Sequence, residues 1–447
     1  MPSSYEDAVK KLLELCEVQP GFGAVDSACL IRDLKGRLRL VVKPGSGATV
    51  DWSALRALLD VELSPWFFGP ILRCDHGSPD ARRLAQQLIQ QHRTPTIRWP
   101  AEWPTELDLT LGAPATPLPS RWCGSQRLLT KESWLSSTPA SPPWQFGSQT
   151  PMVISFFSFK GGVGRTTALA LTAYHLSRSL LFPTANQPVD TRPVVLVDLD
   201  LEAPGLGALF GLPPGPGVID ALLEHSITGS ISPSTLTSIV RTVNTQGVAL
   251  EVITAGDLGQ HHLEKLGRLD YLGGGQDGAS PVGAALRALL EAIKARTPTP
   301  KFILIDARAG LHDLGGLALH GLSHADVLVG RDNEQGRTGM KLTLSALTRR
   351  RSASDLQVFP MLTFVHGERD DQKLKADRYF AYLNQIAGPL QLPLTPDRLI
   401  VIPDLGQKGA PADFSTAEDV LLRDSEYERL ASSLASLLSP VPAGQAP

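Results

Sequence analysis

The chain has 447 residues, of which 42% are hydrophobic and 19% charged, and its formal net charge is -3. This composition is typical of a globular protein, and the length predicts two or three domains. The near-neutral charge gives no general attraction to nucleic acid or to anionic membranes. No apolar run approaches the ~20 residues of a membrane-spanning helix. The N-terminal pattern is that of an amphipathic helix, not a signal peptide, so we expect a cytoplasmic protein without membrane attachment.

Two residue types are concentrated in the first third of the chain. The tryptophans are Trp52, Trp66, Trp99, Trp103, Trp122, Trp134 and Trp144, and the cysteines are Cys16, Cys29, Cys74 and Cys123. The cysteines lack metal-ligand spacing, which favours reduced structural thiols. A stretch rich in Ser, Pro and Gly follows, as in linkers. We therefore predict an N-terminal domain (1–135), a linker (136–150), a second domain (151–440) and a C-terminal tail (441–447).

The first domain is predicted to be small and of mixed α+β type. The run ACLIRDLKGRLRLVVKP (28–44) predicts two strands joined in a hairpin. Apolar residues recur at helical spacing in DWSALRALLDVEL (51–63), and Ser78 followed by Pro79 predicts the start of another helix. We find no catalytic constellation here, and core packing is the favoured interpretation of most of the tryptophans. The role of this domain stays open.

In the second domain, strand patterns alternate with helix patterns. The first strand, MVISFFSF (152–159), precedes a helix at 166–181. Further strand patterns are RPVVLVDLD (192–200), KFILID (301–306), ADVLVG (325–330), LQVFPMLTFV (356–365) and DRLIVIP (397–403). This alternation predicts an α/β fold, a parallel sheet with helices on both faces.

A glycine-rich loop joins the first strand of this domain to its helix. Gly161, Gly162 and Gly164 allow backbone N–H groups to point inward at a helix N-terminus, where the unpaired amides and the helix dipole favour an anion such as phosphate. Ligands of open α/β sheets bind at the carboxyl ends of the strands. The acids that follow the next strands there are Asp198, Asp200 and Asp306. Together they predict a phosphate site flanked by carboxylates.

These motifs resemble those of a known family. KGGVGRTT (160–167) resembles the deviant Walker A motif of the ParA/MinD family of P-loop ATPases, whose usual form is KGGxGK[ST]. VLVDLDLEAPG (195–205) resembles the A-prime motif, and ILIDARAG (303–310) the Walker B and switch II segment. The resemblance covers roughly residues 151–440 and is closest to a variant group that reads KGGVGR. It implies a P-loop NTPase fold, ATP and Mg²⁺ as cofactors, and a homodimer that forms with ATP.

The resemblance also implies roles for single residues. The implied nucleotide-binding residues are Lys160, Gly161, Gly162, Val163, Gly164, Arg165, Thr166 and Thr167. Lys160 corresponds to the lysine that reaches the partner subunit's nucleotide, and Asp200 to the acid that orients the attacking water. Both are thus candidate catalytic residues. The implied metal residues are Thr166, Asp198 and Asp306, and adenine contacts are expected from the loop after VIPD.

Two positions depart from the family pattern. Arg165 replaces the usual lysine, and Ala307 and Arg308 stand where relatives have Thr-Pro. Arginine keeps the positive charge but is longer and planar, so the exchange is not conservative in geometry. Phosphate binding by backbone amides should survive it, whereas stabilisation of the transition state depends on positioning. Slow ATP hydrolysis, nucleotide binding with negligible turnover, and loss of nucleotide function all stay open.

Several functions of the family fit this chain poorly. Its second domain has no cysteine for an iron–sulfur cluster, and its last helix is acidic instead of basic, unlike a membrane anchor. TRRR (348–351) is the one dense basic cluster of the domain, and a solvated helix end is its favoured interpretation. DNA partitioning is therefore disfavoured, without being excluded.

Two hypotheses follow from the resemblance. The first is a dimeric, ATP-driven switch that regulates a protein partner, as in the bacterial conflict and phage-defence clusters where the variant group occurs. The alternative is a scaffold that bound ATP holds together without significant turnover.

Overall fold

The computed structural model divides the chain into two units, Met1–Leu129 and Thr130–Pro447. The residues that it describes are 2, 5–32, 37–91, 121–126, 132–135, 140–145, 147, 149–183, 189–269, 280–352, 355–392, 394–404, 414 and 425–438. The predicted tail, 441–447, lies outside this part of the chain, as does the expected adenine-binding loop after VIPD (401–404), of which the structure describes at most Phe414.

The first unit contains a four-stranded mixed sheet of order β3-β2-β1-β4. Its strands are β1 (Val25–Arg32), β2 (Leu38–Pro44), β3 (Leu72–Arg73) and β4 (Trp122–Gln126), and its helices are α1 (Tyr5–Glu17), α2 (Trp52–Leu63) and α3 (Pro79–Gln91), with a 3-10 turn at Phe22–Ala24. Strands β1 and β2 pair antiparallel, which confirms the predicted hairpin. Because side chains alternate along a strand, β1 buries Leu30 against α1 and α2 and Ile31 against α3.

The second unit is built on an eight-stranded sheet of order β12-β11-β10-β5-β9-β6-β8-β7. Its strands are β5 (Met152–Ser158), β6 (Val194–Asp198), β7 (Val240–Thr245), β8 (Val248–Ile253), β9 (Phe302–Asp306), β10 (Ala325–Gly330), β11 (Gln357–Val365) and β12 (Ile400–Pro403). All neighbouring pairs are parallel except β7 with β8.

Helices cover both faces of this sheet. They are α4 (Glu132–Leu135), α5 (Arg165–Leu181), α6 (Leu206–Leu209), α7 (Val218–Thr228), α8 (Pro233–Ile239), α9 (Gln260–Leu266), α10 (Pro281–Lys294), α11 (Asp313–Leu317), α12 (Glu334–Arg350), α13 (Arg369–Ala387) and α14 (Ser425–Ser436), with a π-helical turn at Ala318–Leu322 and a 3-10 turn at Pro396–Arg398. Every residue of β5 is buried. Val153 and Phe157 belong to the core that contains α10 and α12, whereas Ile154 and Phe156 belong to the core that contains α5 and α14. The predicted α/β fold class is confirmed.

The β7–β8 hairpin at the sheet edge was not predicted. Its first strand, VRTVNT, is half-exposed and mostly polar, so it lacks the apolar run that marks the inner strands. Gln246 and Gly247 form the turn, both with positive φ (47° and 77°), as two-residue hairpins require. Among the described residues, no helix has the length and hydropathy needed to cross a membrane.

Candidate functional site

The glycine-rich loop turns the chain from β5 into α5. Gly162 and Gly164 adopt left-handed backbone conformations, with φ of 70° and 81°. A Cβ at Gly162 would meet no atom within 4 Å, and one at Gly164 would lie 3.8 Å from the Phe364 ring. The backbone conformation, and not a lack of space, therefore requires glycine at these two positions.

The loop ends at an open helix N-terminus. Gly164 is the N-cap of α5 and has no side chain to accept the first N–H groups of the helix. Lys160, Gly161 and Gly162 are exposed, while Val163 is buried in the core beneath the loop. Such an end of a helix favours negative charge, as the sequence predicts for a phosphate site.

A cleft that is open to solvent lies beside the loop. Its lining includes Lys160, Gly161 and Gly162 of the loop, together with Arg331 and Asn333. The three predicted acids do not line it, because they lie beneath the first turn of α5. The cleft and the acid cluster therefore flank the same loop.

The three acids lie together at the carboxyl ends of neighbouring strands. In the sheet, β9 pairs with both β5 and β6, and Asp306 is directly opposite Asp198. Asp198 and Asp306 are fully buried, and Asp200 is 6% exposed. The parallel sheet thus brings together residues that are separated by more than a hundred positions in sequence.

Asp198 shapes the loop that follows β6. Its two carboxylate oxygens accept hydrogen bonds from the backbone N–H groups of Asp200 (3.1 Å), Gly205 (3.1 Å) and Leu206 (3.0 Å). Burial and the adjacent charge of Asp306 raise the pKa of Asp198 to about 8, although these N–H donors oppose the shift. Its implied role at a metal stays a prediction.

Arg165 turns its side chain onto the acids. Its Nε donates to Asp306 Oδ1 at 2.5 Å and its Nη2 to Asp200 Oδ2 at 3.0 Å, and the residue is 8% exposed. Burial lowers the pKa of this guanidinium, but the two carboxylates more than offset that effect, and the pKa is raised. In this structure, Arg165 is thus the counter-charge of the carboxylates.

The remaining oxygens of these acids also have donors. Thr166 Oγ1 donates to Asp306 Oδ2 at 2.6 Å, and Arg308 Nη1 donates to Asp200 Oδ1 at 2.9 Å. When the hydrogen bonds from Arg165 and from the backbone N–H groups around Asp198 are included, each of the six carboxylate oxygens of Asp198, Asp200 and Asp306 accepts a hydrogen bond from the protein.

This arrangement does not fit Mg²⁺. A threonine hydroxyl and carboxylates are the oxygen ligands that Mg²⁺ prefers, but here every carboxylate oxygen is already engaged. In the described part of the chain, no group of three or more His, Cys, Asp and Glu side chains has the arrangement of a metal site. The metal roles implied for Thr166 and Asp306 stay predictions.

Two residues beside the loop were not singled out from the sequence. The guanidinium of Arg331 lies 3.8 Å above the centre of the Phe364 ring and donates to the Gly162 carbonyl at 3.2 Å. Thr363 Oγ1 donates to the Val163 carbonyl at 2.9 Å. Arg331 directly follows a predicted strand and Thr363 lies near the carboxyl end of another, positions at which functional side chains could have been sought.

Arg308 begins a chain of contacts that leads away from the acids. Its Nη2 donates to Glu202 Oε2 at 2.7 Å, and His312 Nε2 lies 3.2 Å from Glu202 Oε1. The His312 carbonyl accepts a hydrogen bond from the indole Nε1 of Trp134 at 2.7 Å. The neighbouring Ser133 Oγ donates to a carboxylate oxygen of Asp313 at 3.0 Å. A segment just after the first unit is therefore attached to the segment that follows β9.

The basic cluster TRRR packs against this same segment. Arg349 donates to the Trp134 carbonyl at 3.3 Å and Arg350 to the Ser133 carbonyl at 3.0 Å. Arg351 is buried and pairs with Asp326 at 2.9 Å. The cluster does lie at the end of α12, where Arg349 is exposed, but the interpretation as a solvated helix end does not hold for the buried Arg351.

No protein-family model and no curated protein matches the chain. Solved structures with a similar fold include a ParA family ATPase from Chlorobium tepidum, with 15% identity over 65% of this chain and 100% of that one, at a TM-score of 0.42. The septum site-determining protein MinD from Pyrococcus horikoshii, in complex with Mg-ADP, is 20% identical over 65% and 100% of the chains, at a TM-score of 0.41. The MinC:MinD complex of Aquifex aeolicus is 17% identical over 66% and 99%, at 0.40. These identities and TM-scores are too low for the ligands and partners of those proteins to be assigned to this chain.

Proposed function

We propose that the second unit binds ATP at the loop between β5 and α5 and belongs to the ParA/MinD-like P-loop ATPases. The observation that carries this proposal is the pair of left-handed glycines, Gly162 and Gly164, at an open helix N-terminus beside the carboxyl ends of parallel strands. The exposed Lys160 lines the adjacent cleft and adds positive charge there. Backbone amides and this lysine would hold the phosphates.

The proposed role of the bound nucleotide is that of a switch. Asp200, which would orient the attacking water, is held by Arg165 and Arg308. A carboxylate in two ion pairs is a poor hydrogen-bond acceptor for water, so turnover is expected to be slow. This same observation favours the second candidate, a scaffold with bound ATP and no significant turnover.

A route from the nucleotide to the rest of the protein supports the switch. Arg308 contacts Asp200, and the segment that it begins carries His312 and Asp313, to which Ser133 and Trp134 are attached. Movement of Asp200 on nucleotide binding would therefore reach residues just after the first unit. We propose that the first unit engages a protein partner, in a bacterial conflict or phage-defence system. A DNA-partitioning role receives less support, since the dense basic cluster is occupied within the protein.

The same proposal includes a homodimer. The exposed Lys160 could reach the nucleotide of a second copy across the open side of the cleft. Saturating ATP should then convert monomer to dimer in sedimentation velocity. A profile that ATP leaves unchanged would remove the dimer from the proposal and leave ATP binding standing.

Equilibrium binding of a fluorescent ATP analogue tests the carrying observation. Gly164→Ala should weaken binding at least about tenfold, because alanine disfavours the required φ and the loop amides would turn away. Gly229→Ala is the matched control: Gly229 has a φ of 77° and open space around its Cβ position, but it ends α7 away from the loop. Equal ATP affinity of the two variants would contradict the proposal. A separate measurement, phosphate release by the wild-type protein, distinguishes slow turnover from none.

A further inference from the structure

Arg165 makes two separate contacts from two different nitrogen atoms. Its Nε and Nη2 atoms lie on one rigid plane and donate to two different carboxylates, Asp306 and Asp200. A lysine has one nitrogen atom on a flexible stem and would serve as a single point charge. The arginine is therefore fitted to this pair of acids.

The charges in the cluster explain why a fixed cation is needed. Asp306 is fully buried and Asp200 nearly so, and buried carboxylates are stable only when they are paired. Arg165 is charged at every pH that the fold experiences, because a guanidinium cannot be deprotonated in proteins. Together with Arg308, which pairs with Asp200, it balances the charge of the two acids without any ion from solution.

Mg²⁺ would have to compete with Arg165 for the same oxygen atoms. Asp306 Oδ1 and Asp200 Oδ2 are the atoms that Arg165 occupies, and Thr166 donates to the second oxygen of Asp306. Mg²⁺ loses its water reluctantly and needs nearly ideal geometry, so it gains little by displacing a preorganised guanidinium. Removing the arginine from Asp306 would also leave a buried charge without its closest partner.

We propose that Arg165 is the resident cation of the Asp200–Asp306 pair, in place of a divalent metal ion. The consequence for nucleotide binding rests on the proposed function: the guanidinium stays on the acids, the loop amides hold the phosphates, and the affinity for ATP depends little on Mg²⁺. A second consequence concerns the protein without nucleotide and does not depend on the proposed function. The wild-type acids have no appreciable affinity for a divalent ion, and removal of Arg165 creates that affinity.

Mn²⁺ alone, followed through the EPR signal of the free ion, tests the second consequence. The full-length Arg165→Gln protein should bind Mn²⁺ at least about tenfold more tightly than the wild type. Arg178→Gln is the matched control, because Arg178 is exposed on the same helix. Equal affinity of the wild-type and Arg165→Gln proteins overturns the proposal. If Arg165→Gln does not fold, the wild type decides alone: saturable Mn²⁺ binding that Asp306→Asn removes overturns the proposal, and absence of saturable binding supports it.

ATP binding measured with Mg²⁺ and with EDTA tests the first consequence. The wild-type dissociation constants should differ by less than about tenfold, and Arg165→Lys should depend more strongly on Mg²⁺. A wild-type difference of tenfold or more overturns the resident-cation proposal while ATP binding stands. If the wild type binds no ATP in either buffer, the proposed function fails, and the Mn²⁺ measurement still decides the role of Arg165.

Discussion

Two buried arginine–aspartate clusters lie in the same parallel sheet, one at the amino end of β10 and one at the carboxyl ends of β6 and β9. At the amino end of β10, Asp326 accepts hydrogen bonds from Ser155 and Ser323, both at 2.6 Å, and pairs with Arg351 at 2.9 Å. One acid there faces one arginine, and both side chains are at most 3% exposed. This cluster is closed and balanced in charge.

The cluster at the carboxyl ends has different surroundings. Asp200 and Asp306 pair with Arg165 and Arg308, beside a glycine-rich loop and an open helix N-terminus. Buried arginine–aspartate pairs thus occur in two settings. The Asp326–Arg351 pair is enclosed between strands and helices, whereas the pairs of Asp200 and Asp306 lie beside an exposed loop with free backbone donors. The surroundings of a buried ion pair, more than the pair itself, distinguish a structural from a functional cluster.

The largest effect is expected from breaking the closed cluster. Arg351→Met leaves Asp326 buried without its counter-charge and should lower the free energy of unfolding by about 3–5 kcal/mol. Urea denaturation measures this loss. The same substitution at the exposed Arg178 should change stability by less than about 0.5 kcal/mol. A loss below about 1 kcal/mol in Arg351→Met would show that the pair is not needed for stability.

A second prediction uses the histidine beside the closed cluster. His324 Nδ1 accepts the Val153 N–H at 2.9 Å, and Nε2 lies 2.9 Å from the Trp144 carbonyl, so the neutral ring fits both. Burial lowers the pKa of His324 to about 4. As pH falls, His324 takes up a proton in the unfolded chain before it does so in the folded protein. The contribution of the neutral His324 ring to stability is therefore complete above pH ~6.5 and is lost as pH falls towards 4.

Between pH 7 and pH 5, this linkage should lower the free energy of unfolding by about 2 kcal/mol. Urea denaturation at the two pH values measures it. His324→Gln should remove this part of the pH dependence, whereas His76→Gln, at an exposed position, should retain it. An unchanged slope in His324→Gln would mean that other groups titrate in this range.

The alternation of apolar strands and helices was enough to predict the sheet, and the acids were located because the carboxyl ends of parallel strands meet at one edge. The β7 strand could not be predicted, since a half-exposed edge strand needs few apolar residues. The direction of Arg165 was equally hidden. A side chain at a helix start can turn outward to a phosphate or inward to carboxylates, and sequence does not state which partner is nearer. The contact of Trp134 with His312 joins residues 178 positions apart and follows from packing alone.

A third prediction compares the two clusters directly. Asp306→Asn should lower the free energy of unfolding by only about 1–2 kcal/mol, because Arg165 keeps its contact with Asp200. The change also removes a negative charge that raises the pKa of Asp198, which offsets part of the loss. Denaturation of this variant beside Arg351→Met measures the contrast. Equal losses would show that the cluster beside the glycine-rich loop is as closed as the Asp326–Arg351 cluster.

The smallest effect is expected in tryptophan fluorescence, and it tests whether a change at Asp200 and Asp306 is transmitted beyond the glycine-rich loop. Trp134 is 4% exposed, donates to the His312 carbonyl and packs against Phe157 of β5, with 5.4 Å between the ring centres. A ligand shifts a conformational equilibrium only through different affinities for its states. ATP should therefore change the emission and ADP should change it less. Trp134→Phe should remove the response and Trp66→Phe, in the first unit, should retain it. If emission is identical with ATP, ADP and no ligand while binding is shown independently, the route through His312 carries no signal, and the scaffold is the better account of the bound nucleotide.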